Sequence, residues 1–458
     1  MDQSLYTLKP CGPRLLPHLN ILFSGACVIF SGCTTPCIGL ECVDQAAQSS
    51  VLIFTQATDT IRQRTQENAA LTIIGSQSQG SNWSILLDQP TITHTPSNMS
   101  VIDSVTTPHI VIGTTNGNAY QIPWQIGTTI PDEIVWTAPS TTTQIGKLDN
   151  WWMASMQNDG TDTLDRTGRL HLHNSSTERS IDIVGTEYLQ QWPAYVWACG
   201  DLDGDGQSDW VAADLDSENT GKVWLGLSSI WLTLTETQTP DAFPILTGAL
   251  KSEAFGHGVL CDTDWTGDGT IDLVISSPFA NVNGVTAAGR IQLFQNNETG
   301  TSFDSIDSIT GSRKHEWLGY RLASGDIDND GQLELASTSF EPDNTTVQLW
   351  SWNSRWRERY TIRSSKQDTF FGYDIEIADI DGDDLADLLI GEPYYSSTKP
   401  EVGLLTIFKG TTNLLEWNTE FYTIEGTNPY AHLGYYIDTH DFNQDEILDI
   451  LLPVIDIE

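Results

Sequence analysis

The sequence predicts an all-β protein: a seven-bladed β-propeller of four-stranded blades, closed by N-terminal strands pairing into the last blade. Three observations predict it. Five acidic loops recur with their first residues 63, 62, 53 and 62 apart, near the length of one four-stranded blade with generous connections. Short runs rich in β-branched and aromatic residues, bounded by turn residues, keep phase with the loops. Helical periodicity is nearly absent along the chain.

The loops are Asp201–Asp209 (DLDGDGQSD), Asp264–Asp272 (DWTGDGTID), Asp326–Glu334 (DIDNDGQLE), Asp379–Asp387 (DIDGDDLAD) and Asp441–Asp449 (DFNQDEILD). Seven residues upstream of four of them stands a small residue, namely Ala194, Gly319, Gly372 or Gly434. Before the second loop Gly256 lies eight upstream, so one residue is inserted there, and Asp262 competes with Asp264 for the first position. Downstream come the apolar runs DLVISSP, DLLIGEP and DILLPV, then GKVWLG, GRIQLF, TVQLW and GLLTIF as further strands. Two units without acidic loops lie upstream. KLDNWWMASMQ precedes GRLHLH in one, and HIVIGTTNGNAYQI reads as two strands around an Asn-Gly turn in the other. That makes seven units. The seventh ends after about two strands, and the hairpin Ala70–Leu87 is expected to complete it and cover its edges. A truncated fragment is the alternative.

Composition fits this class. The 458 residues include 16 Trp, 13 Tyr and 14 Phe, too aromatic for a disordered chain. With 21 basic against 61 acidic residues the formal charge is −40. No basic stripe exists to release phosphate counterions, so nucleic acid is excluded as a partner. Because much of the acid is clustered, cations come first among charged partners.

The expected organisation is a signal peptide over 1–32, a tether over 33–50 and the propeller over 51–458. Lys9 and Arg14 precede the apolar segment Ile21–Phe30, too short to span a bilayer and suited to a signal h-region. FSGC, Phe30–Cys33, resembles a bacterial lipobox, with Phe where Leu is usual. That resemblance implies lipidation at Cys33 and an outer-membrane or cell-surface location. Ordinary secretion is the alternative. No later stretch reads as a transmembrane helix, so the membrane is reached only through the lipid anchor. Of the seven cysteines, Cys37–Cys42 is a plausible pair in an exported protein. Cys199 and Cys261 occupy similar places in successive repeats, either bonded or as buried free thiols.

DxDxDGxxD reads as a ligand set for one hard cation. Carboxylates at positions 1, 3, 5 and 9 and a carbonyl at position 7 can converge, and a central Gly permits the bend. Calcium takes six to eight oxygens, whereas magnesium prefers to keep its waters. The EF-hand reading fails because position 12 is Ala212, Ile275, Ser337, Ile390 or Leu452 rather than Glu. A solvated acidic turn without metal is the alternative for each loop.

Phe-Gly, acidic loop and Gly-x-Pro together resemble the FG-GAP repeat of integrin α-subunit β-propellers. The match runs nearly throughout Phe370–Pro393 and closely over FGHGVLCDTDWTGDGTIDLVISSP. It is strong over about 190–458 and weak over about 70–190. The resemblance implies up to five Ca²⁺. In the first loop the implied ligands are Asp201, Asp203, Asp205 and Asp209 with the Gln207 carbonyl. In the second they are Asp264, Asp268 and Asp272, a weaker Thr266 and the Thr270 carbonyl. The third offers Asp326, Asp328, Asp330, the longer Glu334 and the Gln332 carbonyl. The fourth offers Asp379, Asp381, Asp383, Asp387 and the Leu385 carbonyl. The fifth offers Asp441, Asn443, Asp445, Asp449 and the Ile447 carbonyl, with Glu446 in place of Gly.

HExxH, GxSxG and GxxxxGK are absent. His171 and His173 share one face of an expected strand, with packing roles ahead of metal binding. NWWM and WSWNSRWRERY are expected to fill wedges between blades rather than stack on sugars. The reading is a non-enzymatic binding or adhesion module, monomeric, with a protein or glycan ligand. A calcium-dependent polysaccharide-active enzyme and a purely structural envelope component are the alternatives.

Overall fold

The computed structural model describes residues 144–456 apart from 157–166, 187–191, 216–219, 236, 298–299, 342–343, 365, 367, 415–416, 418–419 and 442–446, and upstream only the strands given below. The signal, Cys33 and the Cys37–Cys42 pair lie outside the described residues. The expected all-β class is found, every strand pairing being antiparallel. Six four-stranded sheets follow one another in chain order, each a simple meander. The first contains Pro96–Ile102, His109–Thr114, Asn118–Pro123 and Ile134–Thr137, and the second Gln144–Leu148, Trp151–Met156, Arg169–Asn174 and Arg179–Val184. The third contains Tyr195–Ala198, Trp210–Asp214, Lys222–Gly226 and Ile245–Thr247. The fourth is built from Val259–Thr263, Asp272–Ser277, Arg290–Asn296 and Phe303–Thr310, and the fifth from Leu322–Gly325, Glu334–Glu341, Asn344–Trp352 and Trp356–Arg363. The sixth contains Ile375–Ala378, Asp387–Glu392, Leu404–Phe408 and Glu420–Glu425.

A five-stranded sheet joins the two ends of the chain. Asp438–His440 and Asp449–Asp456 are followed in it by Gln48–Leu52, Thr72–Gly75 and Ser84–Ile85. The orphan hairpin around Ala70–Leu87 thus pairs directly with the last strand, Thr72 with Leu452 and Ile73 with Leu451. Gln48–Leu52 pairs with that strand as well and runs across the expected tether boundary. A further pairing joins Ala69–Ala70 to Thr91–Ile92.

Among the described residues the second strand is the core strand in the second to sixth sheets. Asp272–Ser277 and Asp387–Glu392 are buried along their whole length. Strands buried on both faces read as continuous apolar runs rather than alternating ones, which is how DLVISS and DLLIGE look. Clusters bridge successive sheets: Val211, Val223 and Leu225 pack with Leu273, Ile275 and Phe294. Trp151 and Trp152 are 7% and 3% exposed, and Trp356 is 8%, so these tryptophans fill interior space as expected.

Glycine at the head of the third strand lets the sheets approach. A Cβ on Gly403 (φ +79°) would lie 2.1 Å from the Leu433 nitrogen, and one on Gly289 (φ +90°) 2.3 Å from the Leu318 nitrogen. Each instead forms a parallel bridge to that leucine, just before the next sheet begins. First strands also converge. Cys199 and Cys261, on or just after the first strands of the third and fourth sheets, form a disulfide, which settles the alternative the sequence left open.

Candidate metal loops and a second cluster

Each acidic loop joins the first strand of its sheet to the second. The position-1 carboxylate organises it. Asp201 accepts the N–H groups of Gly204, Asp205 and Gly206 at 2.7, 3.0 and 2.7 Å. Asp264 does the same for Gly267, Asp268 and Gly269, and Asp379 for Gly382, Asp383 and Asp384. Asp326 accepts from Asp330 and Gly331. Asp264, not Asp262, therefore holds position 1 of the second loop. The inserted residue is absorbed as a register shift between Leu260 and Thr263. The wrap needs left-handed backbone at position 6, where Gly206, Gly269 and Gly331 stand, and Asp384 adopts φ 65° in their place.

Position 9 is the buried anchor. Asp209, Asp272 and Asp387 are fully buried, and Glu334 is 1% exposed. Asp209 accepts from Leu202 N–H at 2.7 Å and Ser228 N–H at 2.6 Å, tying the loop entry to the end of the third strand. Asp387 makes the same pair with Ile380 and Gly410, at 3.3 and 2.8 Å. Asp272 uses Thr266 and Asn296. Glu334 takes Ile327 N–H at 3.1 Å. Position 5 faces back on its own loop: Asp205, Asp268, Asp330 and Asp383 each accept the position-7 N–H, of Gln207, Thr270, Gln332 and Leu385.

Three loops gather carboxylates closely. One oxygen from each of Asp201, Asp203 and Asp209 lies within 4.8 Å of the others, and so for Asp326, Asp328 and Glu334, and for Asp379, Asp381 and Asp387. The second loop, with Thr266 at position 3, does not form such a group. Of the fifth loop, Asn443 and Asp445 lie outside the described residues, while Asp441, Ile447 and the buried Asp449 lie within them.

Burial pushes the position-9 carboxyls up, to about 6 for Asp209 and about 7 for Asp387. For Glu334 burial and then the neighbouring Asp328 push it to about 8. Asp328 Oδ1 and Asp381 Oδ1 are buried without a hydrogen-bond partner. Buried anionic oxygens without a counter-charge are costly, and a hard cation among them removes that cost. These residues fit a divalent ion.

Neutral donors complete the first two loops. Ser228 Oγ donates to Asp205 at 2.8 Å, Ser229 Oγ to Asp203, and Gln295 Nε2 to Asp268 at 2.8 Å. In the fourth loop the donor is charged: Lys409 Nζ contacts Asp381, and Asp383 at 2.9 Å.

At the opposite end of the first strands lies a cluster the sequence reading missed. The residue after each small landmark is aromatic: Tyr195, His257, Tyr320, Tyr373 and Tyr435. Their rings meet. Tyr195–His257 centroids are 6.1 Å apart, His257–Tyr320 4.9 Å and Tyr373–Tyr435 4.5 Å. Arg321 lies over Tyr320 and Tyr373 and pairs with Asp374 at 3.4 Å. The signal was present, one position beyond the small residues already in register.

On the second sheet, His171 Nδ1 lies 2.6 Å from Asp182 Oδ1 and His173 Nδ1 2.9 Å from Ser180 Oγ. Both histidines thus bridge to the neighbouring strand. Arg357 and Arg359 are exposed on the last strand of the fifth sheet. No helix among the described residues is long and apolar enough to cross a membrane.

Comparison with known proteins agrees with the repeat. The FG-GAP-like repeat family model matches residues 264–337 and 326–390, covering the second, third and fourth loops. Integrin alpha-4 of Xenopus laevis is 24% identical over 240 residues, 49% of this chain and 22% of that protein. Integrin alpha-PS2 of Drosophila melanogaster is 32% identical over 113 residues, 23% of this chain and 8% of that protein. Phosphatidylinositol-glycan-specific phospholipase D of Rattus norvegicus is 28% identical over 200 residues, 39% of this chain and 23% of that protein. The chain thus spans less than a quarter of the length of each of these relatives. The matched segments, together with the loops and sheets described above, establish that the chain carries FG-GAP-like repeats and is similar over them to the integrin α chains.

Proposed function

We propose that the chain is a calcium-stabilised propeller of seven blades that acts outside the cytoplasm as a non-enzymatic binding or adhesion module. The observation that carries this reading is the recurrence of one loop geometry, with three carboxylates converging in the first, third and fourth loops. Calcium there offsets the repulsion of the acid groups and clips each hairpin, adding its binding free energy to folding. Seven blades would account for the six four-stranded sheets and the sheet that joins both chain ends. A protein or glycan ligand would meet the aromatic ends of the first strands, opposite the loops. The Cys199–Cys261 disulfide and the signal-like start favour export, with Cys33 as the lipid anchor or, without it, secretion.

One observation supports an enzymatic alternative. Glu376 is half-buried on the first strand of the sixth sheet, and burial with Asp438 and Asp374 nearby pushes its carboxyl well above the usual range. A carboxyl raised in this way can serve as a general acid. The deciding experiment is an array of glycans and extracellular proteins probed with the mature chain, with calcium and with chelator, followed by hydrolysis assays on every binder. Calcium-dependent capture without turnover is expected. Turnover that disappears in Glu376→Gln would replace the adhesion reading by the enzymatic one, and binding and melting unchanged after complete metal removal would overturn the calcium mechanism.

A further inference from the structure

We propose that Lys409 is a built-in counter-ion for the fourth acidic loop, so that a divalent cation enters this loop only by displacing the ammonium. The inference rests on the reading of the loops as calcium sites.

The register of the sheets places Lys409 where it can act. Leu388 pairs with Phe408, Leu273 with Phe294 and Trp210 with Gly226. One residue beyond those pairs, opposite position 9, stand Lys409, Gln295 and Leu227. In the fifth sheet Ser351 pairs directly with Glu334. Of these four side chains Lys409 alone carries a charge. The peptide that follows it is held at both its polar groups: Gly410 N–H donates to Asp387 at 2.8 Å, and Trp417 Nε1 donates to the Lys409 carbonyl. The side chain is thereby delivered to Asp381 and Asp383, at positions 3 and 5.

Those two carboxylates are ones a metal must collect. An ion at about 2.3–2.6 Å from their oxygens would crowd the ammonium, and the repulsion between a divalent and a monovalent cation at such range is substantial even in water. With its side chain 35% exposed, Lys409 can swing into solvent on its flexible stem. Metal binding therefore competes with an internal cation here, and with hydroxyl donors in the first loop. Asp381 Oδ1 stays buried and unpartnered even with the ammonium in place, so the loop keeps an unmet demand for positive charge. The fourth loop should hold its shape without calcium and bind calcium more weakly than the first.

The test compares chelator-stripped wild type, Lys409→Met, Lys409→Arg and the double variant Lys409→Met/Asp383→Asn by calorimetric calcium titration. Hydrogen exchange of residues 379–387 is followed in chelator. Lys409→Met should tighten one site by about tenfold or more, Lys409→Arg should match wild type, and the double variant should lose the gain. In chelator, Lys409→Met should exchange faster across the fourth loop, the sign opposite to its effect on calcium affinity. If wild type binds calcium and Lys409→Met gives the same isotherm, the counter-ion role fails while the calcium reading stands. A gain that survives Asp383→Asn also overturns it, because the gain then arises elsewhere. Absence of calcium binding in all four proteins removes both readings.

Discussion

Glu334→Gln should change sign with calcium. Glu334 is 1% exposed, its carboxyl is pushed from an ordinary 4.5 to about 8 by burial and by Asp328, and its hydrogen bond in the loop comes from Ile327 N–H. A carboxyl raised in the folded state contributes stability that is fully present below pH 4.5 and is lost as pH rises through about 8. At pH 7 without metal, keeping this group protonated or burying its charge costs about 3 kcal/mol, from ~1.4 kcal/mol per pKa unit between the unfolded value and pH 7. Gln is neutral, nearly isosteric, and retains an oxygen for Ile327 N–H. In chelator at pH 7 the variant should therefore be more stable than wild type by roughly 1–3 kcal/mol. In saturating calcium it lacks one anionic ligand and should be less stable by about 1 kcal/mol or more. Urea unfolding followed by tryptophan fluorescence, in chelator and in millimolar calcium, measures both differences. An effect of the same sign in both conditions would refute the idea that the third loop exchanges a desolvation cost for a metal.

Three further outcomes follow from the geometry. His257 is buried, held neutral with its pKa lowered to about 3, and occupies the place that Tyr fills in four other repeats. Its lowered pKa contributes stability above pH 6.5 that is lost as pH falls toward 3, so His257→Tyr should flatten the acid limb of a melting-temperature profile between pH 6.5 and 4. Replacing Cys199 and Cys261 by Ser should cost about 2–4 kcal/mol, and non-reducing peptide mapping of wild type should recover the two cysteines linked. Gly403→Ala would drive a methyl into the backbone of Leu433 at a positive φ and should destabilise by about 3 kcal/mol or more, against a smaller effect for Gly284→Ala, which has open space around its Cβ position.

The acidic loops were legible because their chemistry fixes residue types at fixed spacing, and Asp201, Asp326 and Asp379 each organise their turns as that spacing requires. Strands were legible where burial on both faces leaves a bare apolar run, as in Asp387–Glu392. Gln48–Leu52 was not, because pairing with Asp449–Asp456 links positions some four hundred residues apart, and a five-residue strand carries too little pattern to name so distant a partner. Lys409 was invisible for a related reason. Its meaning depends on standing one register step beyond Phe408, across from Asp387, and only the sheet supplies that neighbour. The aromatic cluster differs from both. Tyr195, His257, Tyr320, Tyr373 and Tyr435 sit in phase in the sequence, but a single Tyr after a Gly has no meaning until the first strands converge and bring the rings within 4.5–6.1 Å of their neighbours. The two ends of each first strand thus carry different demands. At one end carboxylates converge in a set that fits a cation, and at the other Arg321 lies over Tyr320 and Tyr373 and pairs with Asp374. Fixing the loop end sets the position of the first strand and hence of the aromatic residue at its other end, so on the proposed reading metal at the loops and a ligand at the aromatic end would be coupled through the first strand.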